Sequence, residues 1–210
     1  MTEIVKASQP SLKAAGYRKS GNRFNRTTEP GIVQVISFQM GAFNPPGTVE
    51  IPGLRPNLYG KFTVNLGVFL EAVMPYDKTP PPKSFVNDYN CHIRRRIGEL
   101  LDNPQDCWWP LDPQTAVPAI LALLGSRVSA WMDHFASWST ILSDLESVAP
   151  DSRVIRSGPD KILATWMLLA DGDRDKAQRT FAAYVATVDP ASPHYRYLST
   201  FATEHRLSLW

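Results

Sequence analysis

Amide, hydroxyl and guanidinium side chains recur at alternate positions in four stretches of the chain. Arg23 and Asn25 lie in the first, Ser37 and Gln39 in the second, Thr63 and Asn65 in the third, and His92, Arg94 and Arg96 in the fourth. A guanidinium offers a bidentate fork and an amide presents both donors and acceptors, so the set suits a phosphate, a carboxylate or a nucleobase edge. If the stretches pair as an antiparallel meander, all of these side chains point one way and build a donor-rich floor. A register slip of one residue would turn the set over. The candidate ligand-binding residues are Arg23, Gln39, Asn65, Arg94, Arg96 and Trp108. The alternative is a solvated face, or amides bonded to loops folded over it.

Other chemistry finds little support. There is no Gly-x-Ser-x-Gly elbow and no Cys-His pairing signature, and both Gly-x-x-x-x-Gly-Lys-Ser/Thr and Gly-x-Gly-x-x-Gly are missing. Cys91, His92 and Cys107 offer thiol and imidazole without zinc-ligand spacing, so the cysteines read as small buried apolar residues. His134, His194 and His205 stand in helical patterns with no motif around them. No catalytic residue, metal or cofactor is assigned, and an enzymatic role is disfavoured. Trp108 and Trp109 beside Arg94 and Arg96 could form a stacking platform for nucleic acid, although neighbouring strand residues face opposite sides and at most one indole is available.

The elements that must carry these residues follow from periodicity. Residues 2 to 15 read as a helix opened by Thr2, interrupted at Pro10 and closed by Gly16. Tyr17 to Arg26 reads as a hairpin turning at Ser20-Gly21-Asn22. Ile32 to Met40 is a β-branched strand with Ile32, Gln34, Ile36, Phe38 and Met40 on one face. Gly60 to Leu70 is the central strand, half-buried, with Phe62, Val64, Leu66 and Val68 opposite Lys61, Thr63, Asn65 and Gly67. Pro-rich loops at 41–59 and 75–83 flank it, and such length is often functional. Asp88 to Ile97 reads as a further strand with Cys91, Ile93 and Ile97 on one face, and Asp106 to Leu111 as a last short one. From Asp112, which can cap a helix starting at Pro113, the period becomes helical. Pro118 and Gly125 divide that helix, and the stripe Val128, Trp131, Phe135, Trp138, Leu142, Leu145 predicts one long helix beyond them. Three more helices follow, two joined at Asp171-Gly172-Asp173 and the last capped by Ser192.

The fold class is therefore α+β: an antiparallel sheet of about four to six strands, packed by an N-terminal helix and a long helix, then a helical C-terminal region. Residues 1–112 form the sheet region and 113–210 the helical region packed on it, as one compact unit. The 210 residues suffice for a core without staples. A net charge of +2 argues for neither nucleic acid nor membrane, though six basic residues and no acidic one lie between Ile4 and Thr28. No segment approaches the ~18 to 20 apolar residues of a membrane span. Two cysteines and no signal peptide point to a reducing cytoplasm.

The ordered pieces Leu12-Lys-Ala-Ala-Gly-Tyr-Arg-Lys19, Arg23-Phe-Asn-Arg26, Val35-Ile-Ser-Phe-Gln39, Gly60-Lys-Phe-Thr-Val-Asn-Leu-Gly67, Arg96-Ile-Gly-Glu-Leu-Leu101 and Asp106-Cys-Trp-Trp109 resemble the bacterial domain of unknown function 4304 family. The resemblance covers roughly residues 5 to 145 and implies a fold and a bacterial setting, without a reaction. The functional expectation is a non-enzymatic module that binds another bacterial protein through the polar sheet face and the Pro-rich loops. The alternatives are a nucleic-acid or phosphate-binding protein using the basic face, and a small-molecule sensor.

Overall fold

The computed structural model describes residues 1–41, 49, 51, 57–77, 80–82, 84–147 and 160–210. Much of both Pro-rich loops lies outside the described residues.

Helix α1 spans Thr2–Ala14 and buries Ile4, Val5, Ser8 and Leu12. Pro10 does not interrupt it. The proline sits on the exposed side between Gln9 and Ser11, where the carbonyl that its missing N–H leaves free can meet water. Gly16, at φ +87°, then takes the left-handed turn that ends the helix.

Strands β1 (Arg18–Ser20), β2 (Arg23–Glu29), β3 (Ile32–Met40), β4 (Lys61–Leu70) and β5 (Ile93–Arg96) pair in that order, each antiparallel to its neighbour. The short β6 (Trp109–Pro110) continues the β5 edge of β4 through Phe62. Alternation sends Phe24, Ile36, Phe38, Val64, Leu66 and Phe62 to one face. There they meet α1 and the helix Pro113–His134 in a shared apolar core.

That helix consists of α2 (Pro113–Leu123), a π-turn at Leu124–Val128 and α3 (Ser129–His134). Asp112 caps it by accepting from the Gln114 N–H. It continues through Pro118 and Gly125, and the stripe that promised one long helix beyond Val128 is broken instead at 135–137. Ser137 there caps α4 (Trp138–Glu146) by accepting from the Thr140 N–H. The apolar period survives the break because Phe135 stays in the core and Ile141 and Leu145 resume it. By length and composition the 22-residue helix could cross a membrane, contrary to the expectation from sequence. Its Ala116, Ile120, Leu124, Val128 and Met132 face is nonetheless packed into the sheet's core.

Helices α4 and α5 (Asp160–Ala170) cover the other end of the same sheet face, against Ile32, Val68, Leu70 and Ile93. Helices α6 (Arg174–Val185) and α7 (Pro193–His205) add a further cluster through Phe181, Val185, Leu198 and Phe201. Ser192 caps α7 by accepting from the Tyr195 N–H.

Candidate polar sheet face

The register brings the polar positions to the second face of the sheet. Arg23 is opposite Ser37, Ser37 opposite Asn65, and Asn65 opposite Arg96, so these four form one row across β2 to β5. Gln39 opposite Thr63 forms the next row, and Asn25, Val35, Gly67 and Arg94 the row on the other side.

This face is not open throughout. The segment carrying Val86 and Cys91 folds over it onto Val35 and Phe69, so β4 is buried on both sides from Phe62 to Leu70 rather than half-buried. Asn25 donates to the Val86 carbonyl at 3.2 Å. Cys91 therefore lies on this face and not with Ile93, because β5 begins only at Ile93 and a 3-10 turn at Asp88–Asn90 precedes it. Gly67 makes the crossing possible: a Cβ there would lie 2.4 Å from Cys91 Sγ. Burial pushes the Cys91 thiol well above its usual range.

His92 is buried at the same end. Its Nδ1 accepts from the Leu70 N–H at 3.1 Å, which puts the ring proton on Nε2, facing Asp77 at 3.3 Å. Burial lowers its pKa from the usual 6.5, with Asp77 pulling weakly the other way. The native state thus holds the ring neutral, while the unfolded chain takes up a proton as the pH falls below 6.5. The associated stability is fully present above that pH and is lost as the pH falls through the lower folded value. A thermal-melt series from pH 7.5 to pH 5 should show Tm falling toward acid, and a His92→Gln variant should show a shallower slope.

The uncovered part of the face is a cleft of about 290 Å³ lined by Gln39, Asn65, Asp88, Arg94, Arg95 and Arg96, with Leu66. At its floor Asn65 Nδ2 donates to Gln39 Oε1 at 2.7 Å. Whichever way the two amides are turned, a single bond between them leaves one carbonyl and one amino group for a ligand. Beneath lies Thr63, fully buried, whose hydroxyl has no partner among the described residues. The walls are ion pairs. Arg94 faces Asp88 at 3.5 Å, and Arg96 Nη1 donates to both oxygens of Asp106 at 2.5 and 2.6 Å. The Arg96 guanidinium also lies over the Trp108 ring, 5.2 Å from its centre.

Of the six residues singled out by sequence, Gln39, Asn65, Arg94 and Arg96 line this cleft and Trp108 reaches it through Arg96. Arg23 stays in the row but is engaged elsewhere, donating to Asn87 Oδ1 and lying over Phe85. Sequence reasoning missed Asp88 and Asp106, the counter-charges of the arginines. Asp106 is ten residues from Arg96 with a turn between them, so only the fold joins them. Among the described residues, no three His, Cys, Asp or Glu side chains converge as metal ligands.

The family model described as "Domain of unknown function (DUF4304)" matches residues 8–125, a span that holds every strand among the described residues and all six candidate residues. Neither the curated proteins nor the solved structures contain a match to the chain.

Proposed function

Since the chain belongs to the DUF4304 family, whose matched span carries the whole polar face, we propose that it is a non-enzymatic binding module that docks another bacterial protein on the cleft at Gln39, Asn65, Arg94 and Arg96. The observation that carries this reading is the amide pair set between arginines already matched by carboxylates. Nucleic acid binding draws on unneutralised cations along a phosphate track. Here Arg94 and Arg96 each face an aspartate, so the cleft is polar but locally balanced. Paired donor and acceptor groups flanked by ion pairs and a partly exposed tryptophan complement the mixed surface of a polypeptide, and Arg and Trp are enriched among residues that anchor protein interfaces. Two unpaired thiols, Cys91 and Cys107, agree with a cytoplasmic setting.

The test is a tagged pull-down from bacterial lysate with and without nuclease, comparing the native chain with Gln39→Leu and Arg96→Asp variants. A stoichiometric protein band that survives nuclease and falls at least about fivefold in both variants is the expected result. Retained material that disappears with nuclease, or with salt raised from ~50 to ~200 mM, would replace this reading by the phosphate-binding one. A band equally strong in the variants would place the docking surface elsewhere.

A further inference from the structure

Between α1 and the β1–β2 hairpin, at the open end of the sheet's core face, lies a groove of about 570 Å³. Met1, Val5 and Met40 supply its apolar lining, and Lys6 and Lys19 its cations. It is across the sheet from the polar cleft. Met40 follows Phe38 on the core side of β3, and Lys19, opposite Phe24, is on the same side of β1, whereas Arg18, opposite Asn25, is on the other.

Two independent features single the groove out. The first is charge. Six basic residues and no acidic one lie between Ile4 and Thr28, while the other 16 basic residues of the chain are outnumbered by its 20 acidic ones. The chain's positive surplus is therefore concentrated in the stretch that builds α1 and the hairpin. Arg23 and Arg26 are engaged within the fold, by Asn87 and by Gln34 and Asp133. Lys6 and Lys19 are exposed, and neither meets a carboxylate among the described residues. None of the described residues that line the groove is acidic. The second feature is apolar exposure. Ile36 and Phe38 on the core face of β3 are no more than 1% exposed, yet Met40, next in the same row, is 41% exposed. The core face thus runs out uncovered into a basic groove.

We propose that this groove docks an acidic, extended peptide segment of a partner protein. One large apolar side chain of that segment seats on Met1, Val5 and Met40, and carboxylates flanking it meet Lys6 and Lys19. The lining favours this occupant over other anions. Single-stranded nucleic acid gains its non-ionic affinity from stacking on aromatic rings, and no aromatic residue lines the groove among the described ones. A bilayer takes up a protruding apolar face, whereas Val5 is 5% exposed at the bottom of a concavity. Methionines, unbranched and polarizable, adapt to the shape of an inserted side chain. This site and the polar cleft are on opposite faces of the sheet, so each can fail without the other.

Fluorescence anisotropy of the full chain with a fluorescein-labelled peptide, Glu-Asp-Glu-Phe-Asp-Glu-Leu-Glu, tests the proposal. The peptide should bind with a Kd of about 100 μM or tighter at ~50 mM salt. A control with Gln and Asn in place of its acids, and another with Ser in place of Phe and Leu, should each bind at least about tenfold more weakly. Lys6→Glu and Lys19→Glu should each weaken the acidic peptide about tenfold or more. Lys13→Glu, the same charge change on α1 outside the groove, should weaken it less than about threefold, because screening confines the effect of a distant exposed charge. All three lysines are exposed, so the variants keep the fold. No binding at ~1 mM, equal binding of the uncharged control, or an equal loss in Lys13→Glu would overturn the assignment. So would tighter binding of a thymidine oligonucleotide, or a dimer in sedimentation that Lys19→Glu dissociates, which would give the groove to nucleic acid or to a second copy of the chain.

Discussion

Replacing Gln34 by leucine should lower the unfolding free energy by about 3 to 5 kcal/mol, with an unchanged dependence on urea concentration and a lower midpoint. Gln34 is the one fully buried amide in the apolar row of β3, and it uses both ends. Its Oε1 accepts from Arg26 Nε at 2.9 Å, from Arg26 Nη2 at 2.7 Å and from the Tyr17 hydroxyl at 3.3 Å. Its Nε2 donates to the carbonyls of Met132 and of Phe135 at the end of α3, where Met132 also accepts from the Phe135 N–H at 3.2 Å. Leucine fills the volume and takes the amide from the Tyr17 hydroxyl and the Phe135 carbonyl, while Arg26 keeps Asp133 and the Ala15 carbonyl and Met132 keeps the Phe135 N–H; each buried donor or acceptor left unmatched costs about 1 to 3 kcal/mol. The same burial holds the Tyr17 phenol up to about 12, with Arg26 opposing it. Gln34→Glu separates the two ends: it keeps acceptors for Arg26 and Tyr17 but sets an oxygen against the Met132 and Phe135 carbonyls. A glutamate variant as stable as the native chain would show that the helix end contributes nothing.

Gln34 also marks the limit of what one-dimensional pattern reveals. Its place with Ile32, Ile36 and Phe38 on one face of β3 follows from alternation alone, whereas the rows joining Arg23, Ser37, Asn65 and Arg96 also require a register that alternation leaves open. What alternation does not carry is the identity of the partner across space. Gln34 meets a helix end about a hundred residues away, and Arg96 meets an aspartate beyond a turn. The break at 135–137 was hidden for a related reason. Hydrophobic period records which residues are buried, and Phe135, Ile141 and Leu145 remain so on either side of the break. Its local signal was Ser137 standing three residues before Thr140, a capping pattern inside an apolar stripe. Cys91 changed face because period-2 reasoning holds only while the strand lasts, and β5 starts two residues later.

The polar cleft depends on the short segment that leaves β5. Arg94 and Arg96 lie on the polar side of the strand while Arg95, opposite Leu66, lies on the core side, so three consecutive arginines supply cations to opposite faces of one strand. The 3-10 turn Ile97–Leu100 then brings Glu99 back beneath Arg95, and the chain returns across Gly98 to place Asp106 and Trp108 against Arg96. A perturbation of this crossing should therefore be felt at the polar cleft as well as in stability.

Gly98→Ala supplies that perturbation, with an expected loss of about 3 kcal/mol, at the upper end of the usual overpacking cost. A Cβ on residue 98 would lie 2.4 Å from the Gln105 carbonyl oxygen, 2.7 Å from Cys107 Cβ and 2.8 Å from Cys107 N. Two of these atoms are backbone, so no side-chain rotation relieves the contact, and the Gln105 N–H that donates to the Gly98 carbonyl at 3.2 Å must move with them. Displacing 105–108 pulls Asp106 from Arg96 and slides Trp108 from beneath the guanidinium. Asp106→Asn is the matched control. Its side chain is half exposed, so that variant weakens the ion pair with little effect on stability. Urea unfolding of the two variants, together with the pull-down, separates the roles. Gly98→Ala should lose both stability and partner, whereas Asp106→Asn should keep its midpoint and lose only partner. A Gly98→Ala chain with the native midpoint would mean that the 105–108 segment does not cross as closely as these distances require.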